Sequence, residues 1–229
     1  MGIRGIRVIV SKHFVMQQDG IANNNSYSPT LLYKTESLLH YLQGFSMNDR
    51  LVWKEEWKKT VFTCPVFNVE ERYCRSPFDA LKTFSVLNAS DWAIIIPALN
   101  TERGRRFVMV RQWRHGAMEL SLEFPGGVME KGEDAMTAAA RELREETGYS
   151  AKKIINLGVF SPNPAIMSNR VHFFLALDLS PPAGQTLDED EYVEVETVPC
   201  EEVLSGLGKP PYIHALMGTA MALYLANKP

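Results

Sequence analysis

Apolar and polar positions alternate in short runs through the first half of the chain, then take a helical period once before the alternation resumes. Residues 61–69, 72–75 and 82–87 read as short strands around a turn at Ser76-Pro77. Trp92 to Ile96 is a continuous apolar run of the buried-strand type, and Pro97 is expected to close it. A polar turn from Asn100 to Gly104 leads into a strand from Phe107 to Trp113. Residues 118–124 alternate as a half-buried strand until Pro125-Gly126-Gly127 breaks them. The period then lengthens: a helix is predicted from Asp134 to Thr147, with Asp134 as its N-cap and Gly148 as the left-handed residue that ends it. Strands follow at 154–160, 171–178 and 192–198, and a closing helix at 213–226. Strands on both sides of one helix, a second helix at the end and no internal repeat predict a mixed sheet packed between helices.

Composition narrows the partners more than the fold. The 229 residues suffice for one large domain, or for one with a smaller appendage, and 45% apolar with 22% charged residues is a soluble globular balance. A net charge of −3 offers no basic surface for nucleic acid, so none is expected as a partner. Phosphate binding must then be local and metal-assisted. Cys64, Cys74 and Cys200 fit no metal-ligand spacing and are odd in number, which reads as reduced thiols in a cytoplasmic protein. No apolar run approaches the ~18 residues of a membrane span, and the first residues lack a signal-type apolar core with a cleavage site. Residues 1–46 carry Arg4, Arg7 and Lys12 with few acids, then a polar run from Asn23 to Ser28. They read as a loosely ordered extension; a transit-like presequence and an upstream start in place of Met47 are the other readings.

The chemistry concentrates in Gly127 to Tyr149, GVMEKGEDAMTAAARELREETGY. Glu142, Glu145 and Glu146 stand at i, i+3 and i+4, so their carboxylates share one helix face, while Met136, Ala140, Leu143 and Thr147 form another. Like charges at this spacing repel by a few tenths of a kcal/mol, and they sit at the unfavourable end of the helix dipole. A hard divalent cation among them would remove both penalties. A solvated acidic face, with Arg141 and Arg144 as ordinary partners, is the alternative. Gly126, Gly127 and Gly132 add to the first reading, because they let a loop fold back over the carboxylate face.

This stretch resembles the Nudix box, GX5EX7REUXEEXGU. Gly127, Glu133, Arg141-Glu142, Leu143, Glu145-Glu146 and Gly148 match it in order, and Tyr149 stands where an aliphatic residue is usual. The resemblance in layout covers roughly residues 61–229. It implies a fold of the α/β (α+β) class, a Nudix-type α/β/α sandwich with a mixed sheet, preceded by a small N-terminal antiparallel β region. The expected division is 1–46 extension, 47–90 N-terminal β region and 91–229 Nudix hydrolase domain. The resemblance also implies that Glu142, Glu145 and Glu146 ligate Mg²⁺, or Mn²⁺ as a substitute, together with the backbone carbonyl of Gly126. Arg141 would orient the glutamates, and Glu133 would be a supporting or additional metal group. Glu145, Glu146 and Arg141 are thus the expected catalytic group for attack of an activated water on one phosphorus of a P–O–P link.

Outside the box, the segment Arg111-Gln112-Trp113-Arg114-His115-Gly116 and the segment Leu122-Glu123-Phe124-Pro125-Gly126-Gly127 resemble the ADP-ribose pyrophosphatase group. Pro164, 16 residues after Gly148, is a further mark of it. Arg111, Arg114 and Glu123 are the expected substrate-binding residues. Arg114 either bonds the diphosphate or is a strand-end arginine in solvent, and Glu123 either helps bind metal or pairs with an arginine. The loop from Ala165 to Arg170 has no acid where that group often carries its base, which leaves Glu145 or a member of Asp188-Glu189-Asp190-Glu191 for the role; a solvated turn is the plainer reading of that acidic run. The implied reaction is cleavage of a nucleoside diphosphate sugar, ADP-ribose above all, to AMP and ribose 5-phosphate. Other nucleoside diphosphate derivatives, or a non-catalytic Nudix binding module, are the alternatives. In the resembling group, the region with Trp53, Trp57 and the strands from Val61 to Arg75 forms a homodimer.

Overall fold

The computed structural model describes residues 50–189 and 191–227. The extension expected at 1–46 lies outside the described residues. One compact unit begins at Val52, and it opens with a three-stranded antiparallel meander: β1 (Lys54–Thr63), β2 (Phe67–Arg75) and β3 (Leu81–Ala89). The single strand expected at 61–69 is in fact two. Cys64, Pro65 and Val66 turn the chain, closed by a bond from the Cys64 N–H to the Phe67 carbonyl, because Pro65 has no N–H to give a ladder. The turn at Ser76 is as expected, with the Ser76 hydroxyl accepting from the N–H groups of Phe78 and Ala80.

A second sheet follows, built from β4 (Trp92–Thr101), β5 (Gly104–Arg114), β6 (Glu119–Glu123), β7 (Gly126–Val128), β8 (Ala151–Phe160), β9 (Val171–Leu179) and β10 (Glu194–Pro199). Its main path runs β10-β5-β4-β9-β8, with β6 beside β5 and β7 beside β4. Only the β4–β9 pairing is parallel in this sheet, so the sheet is mixed. Pro97 does not close β4. The N–H of Ile95 points to the Pro125 carbonyl, and by strand alternation Pro97 faces the same side. There the pairing with β7 ends at Ile94 and that with β5 starts only at Ala98. The missing proline donor therefore falls in a gap between partners, and the strand continues.

Among the described residues three helices cover the sheet: α1 (Ala135–Thr147), α2 (Cys200–Gly206) and α3 (Ala215–Ala226). Alternate residues of the central strands go to opposite faces. Ala93, Ile95, Phe174 and Ala176 pack on Ala138, Ala139 and Leu143 of α1. Ile96, Ala98, Phe173 and Leu175 pack with Val203 of α2 and Met217, Ala220 and Tyr224 of α3. Both faces are buried, which is why these strands read as unbroken apolar runs. The result is the expected α/β/α sandwich, preceded by the antiparallel meander. The short β7 and α2 were not expected: three residues give too little pattern, and the acids Glu201 and Glu202 mask the two buried positions, Cys200 and Val203, of α2.

Candidate active site

The site rests on α1, whose two ends are fixed by the sequence. The Asp134 carboxylate accepts from the N–H groups of Met136 and Thr137 at 3.1 and 3.2 Å, and Gly148 ends the helix at φ 72°. Burial of Ala138, Ala139 and Leu143 against the sheet sets the rotation of the helix. Glu142 and Glu146 are thereby buried beside β7, while Glu145 remains partly exposed.

Arg141 ties the acids together. Its Nε and Nη2 donate to the two Glu133 oxygens at 3.0 and 3.1 Å. Its Nη1 donates to Glu142 at 2.8 Å and to Glu145 at 3.1 Å, and Nη2 also reaches the Val128 carbonyl at 3.2 Å. One planar guanidinium thus fixes three carboxylates and the strand before the helix. The Glu133 carboxyl is held below its ordinary value, by Arg141 first and then by the Glu130 N–H.

Glu146 has a different environment. Its Oε2 accepts from the Gly126 N–H at 2.8 Å. Burial pushes its pKa up to about 8, against the help of that N–H, and the charges of Glu142 and Glu191 raise it further. Glu142 is likewise raised, first by burial and then by Glu145 and Glu191, although Arg141 opposes this. Glu191 enters this field because the loop after β9 folds onto the end of α1. The Gln185 amide donates to the Glu146 carbonyl at 2.7 Å and the Thr186 N–H to the Glu145 carbonyl at 2.9 Å.

Among the described residues no three acidic, histidine or cysteine side chains converge as a closed cation cage. Arg141 draws Glu142 and Glu145 one way, and the Gly126 N–H draws Glu146 another. The surroundings nevertheless suit a hard cation. Glu142 and Glu146 are buried like charges with raised pKa values, which a divalent cation offsets. Gly127 leaves the room: a Cβ there would lie 2.6 Å from Glu142 Oε1. Gly126 permits the close approach of β7, since a Cβ on it would lie 2.3 Å from the Ala93 carbonyl oxygen.

The expected substrate-binding residues separate. Arg114 and Glu123 meet in a two-pronged ion pair, Nε to Oε1 at 2.8 Å and Nη2 to Oε2 at 2.6 Å. His214 joins them with Nδ1 2.9 Å from Glu123 Oε2. All three line a cavity of about 280 Å³ with Trp92, Phe124, Gly126 and Gly127. Of the two roles open to Glu123, the structure shows the arginine pair. Arg111 is not in this cavity. It lies three residues from Arg114, hence on the opposite strand face, and its Nε bonds Glu196 of β10. His214 was missed by the sequence reading. A lone histidine ahead of an apolar helix carries no pattern, and its partner lies far away in the chain.

A profile of the NUDIX domain matches residues 90–217. The chain belongs to the Nudix family. It is 43% identical over 105 residues to the ADP-ribose pyrophosphatase of Bacillus subtilis (strain 168), a match covering 45% of this chain and 56% of that protein. It is 35% identical over 113 residues to the methanol dehydrogenase activator of Bacillus methanolicus, covering 49% of this chain and 60% of that protein. The chain thus spans little more than half the length of these curated relatives. A solved crystal structure of an ADP compounds hydrolase superposes with a TM-score of 0.66 at 22% identity, over 77% of this chain and 94% of that one. That likeness concerns the fold.

Proposed function

We propose that the chain is a pyrophosphohydrolase that cleaves nucleoside diphosphate sugars, with ADP-ribose giving AMP and ribose 5-phosphate. The observation that carries this is the buried pair Glu142 and Glu146 facing the glycine strand, with Arg141 holding Glu142, Glu145 and Glu133 around it. The 43% identity to an ADP-ribose pyrophosphatase supports the substrate. Mg²⁺, with Mn²⁺ as substitute, is the cation proposed for Glu142, Glu145, Glu146 and the Gly126 carbonyl; when bound it supplies charge neutralisation on the diphosphate. Arg141 positions the carboxylates. Glu145, or Glu191 as the member of the Asp188–Glu191 run whose charge reaches Glu142 and Glu146, is the proposed base for the attacking water. Arg114 contributes a cationic wall, neutralised by Glu123 until substrate arrives, and Arg111, bonded to Glu196 on the opposite strand face, stands apart from this wall.

The exposed apolar residues of the meander, Trp53, Trp57, Val61, Phe62, Leu81 and Phe84, support a homodimer formed through it. Cys64, Cys74 and Cys200, read as reduced thiols, support a cytoplasmic setting. No described helix is long and apolar enough to cross a membrane. Neither membrane nor nucleic acid is assigned as a partner. The test is a panel of ADP-ribose, a second nucleotide sugar, ATP and diadenosine polyphosphates with product identification. ADP-ribose is expected to be cut fastest; faster cleavage of ATP or a dinucleotide would reassign the substrate.

A further inference from the structure

The polar end of the cavity contains a histidine whose bonding is half specified. His214 occupies the N-cap of α3, where Ser, Thr, Asp or Asn would close the first turn, and its ring makes no capping bond. The ring turns to Glu123 instead, with Nδ1 2.9 Å from Oε2. Burial alone would raise the Glu123 pKa, but Arg114 and His214 hold it well below the ordinary carboxylate range, so the carboxylate is ionised and brings no proton to this bond. The hydrogen therefore sits on Nδ1. That leaves Nε2, an acceptor or a donor according to the charge of the ring, and no hydrogen bond from the described residues reaches it. His214 lines the cavity that Gly126 and Gly127 also border.

A hydroxyl both donates and accepts, so a sugar hydroxyl suits Nε2 in either state of the ring, whereas a phosphate oxygen suits only the charged one. The walls from Trp92, Ile94, Phe124 and Leu216 are apolar, and about 280 Å³ accommodates one end of a nucleotide sugar. We propose that His214 is a substrate-positioning residue whose Nε2 hydrogen-bonds a sugar hydroxyl of the substrate. This rests on the reading of the substrate as a nucleoside diphosphate sugar.

Two amide variants of the full chain separate this role from a structural one. His214→Asn places an amide near Nδ1 and keeps the Glu123 bond, but removes the nitrogen at Nε2. His214→Gln places an amide near Nε2 and gives up the Glu123 bond. Both are assayed with Mg²⁺ on the nucleotide sugar that the wild type cuts best. His214→Asn is expected to melt no lower than the wild type, since Asn also suits the N-cap, with KM raised about tenfold and kcat within about threefold; His214→Gln is expected to recover part of the KM. A role confined to holding Glu123 gives the reverse order, His214→Asn neutral and His214→Gln impaired, and that result overturns the proposal. A wild type that prefers another nucleotide sugar to ADP-ribose corrects the substrate alone, and the same KM comparison then decides His214 on that sugar. A wild type that cuts no nucleotide sugar overturns both readings.

Discussion

Glu146 is the residue at which burial, charge and the proposed cation site meet. Its pKa of about 8 stands above the ordinary 4.5, so its contribution to the stability of the metal-free protein is full below 4.5 and is lost as the pH rises through 8. A divalent cation needs the ionised form and must displace the proton below that pH. Addition of Mg²⁺ is therefore expected to raise the melting temperature more at pH 8.5 than at pH 6.5, read by differential scanning fluorimetry at fixed ionic strength. An equal rise at both would show that Glu146 does not take up the cation. The common face of Glu142, Glu145 and Glu146 was legible in the chain, because an i, i+3, i+4 set must share a face, whereas the orienting role of Arg141 was implied only by the resemblance to the box. Arg111 and Arg114 were grouped by their nearness in sequence. Strand alternation separates them, and Glu196 reaches Arg111, and His214 the Glu123 partner of Arg114, only through the tertiary fold.

At the scale of the element, α1 could be read almost to the residue. A side-chain cap at Asp134 and a left-handed glycine at 148 are local devices with local signatures. The β1–β2 turn and the run of β4 through Pro97 could not be read this way, because each depends on which neighbour a strand meets and where. The same dependence governs Gly127, whose role is the space it leaves between β7 and α1. In Gly127→Ala the three atoms nearest the new methyl all belong to the Glu142 carboxylate, so this flexible group yields. The variant is expected to fold with its melting temperature changed by only a few degrees. Its Mg²⁺ affinity is expected to fall by about tenfold or more, the scale of disturbing a ligand's support. Isothermal titration with Mg²⁺ checks this; unchanged affinity would remove Glu142 from the cation site.

The whole molecule combines a two-faced sandwich, foreseen from buried runs flanking one amphipathic helix, with a meander whose outer strand β1 is exposed throughout. Trp57 stacks on Tyr73 at 3.5 Å and is still half-exposed. If the meander is the dimer surface, Trp57→Glu places a charge in it, and sedimentation is expected to show monomer where the wild type sediments as a dimer. Two species of the same mass would move the interface elsewhere. The reaction itself is the central claim, and it is tested most directly by incubating the protein with ADP-ribose and Mg²⁺ and resolving the products. The expected result is AMP and ribose 5-phosphate in equal amounts, abolished by a chelator, with Glu146→Gln slower by at least about a hundredfold, the scale of losing a major electrostatic group. Intact ADP-ribose, or a Glu146→Gln protein that cuts it at the wild-type rate in saturating Mg²⁺, would contradict the account.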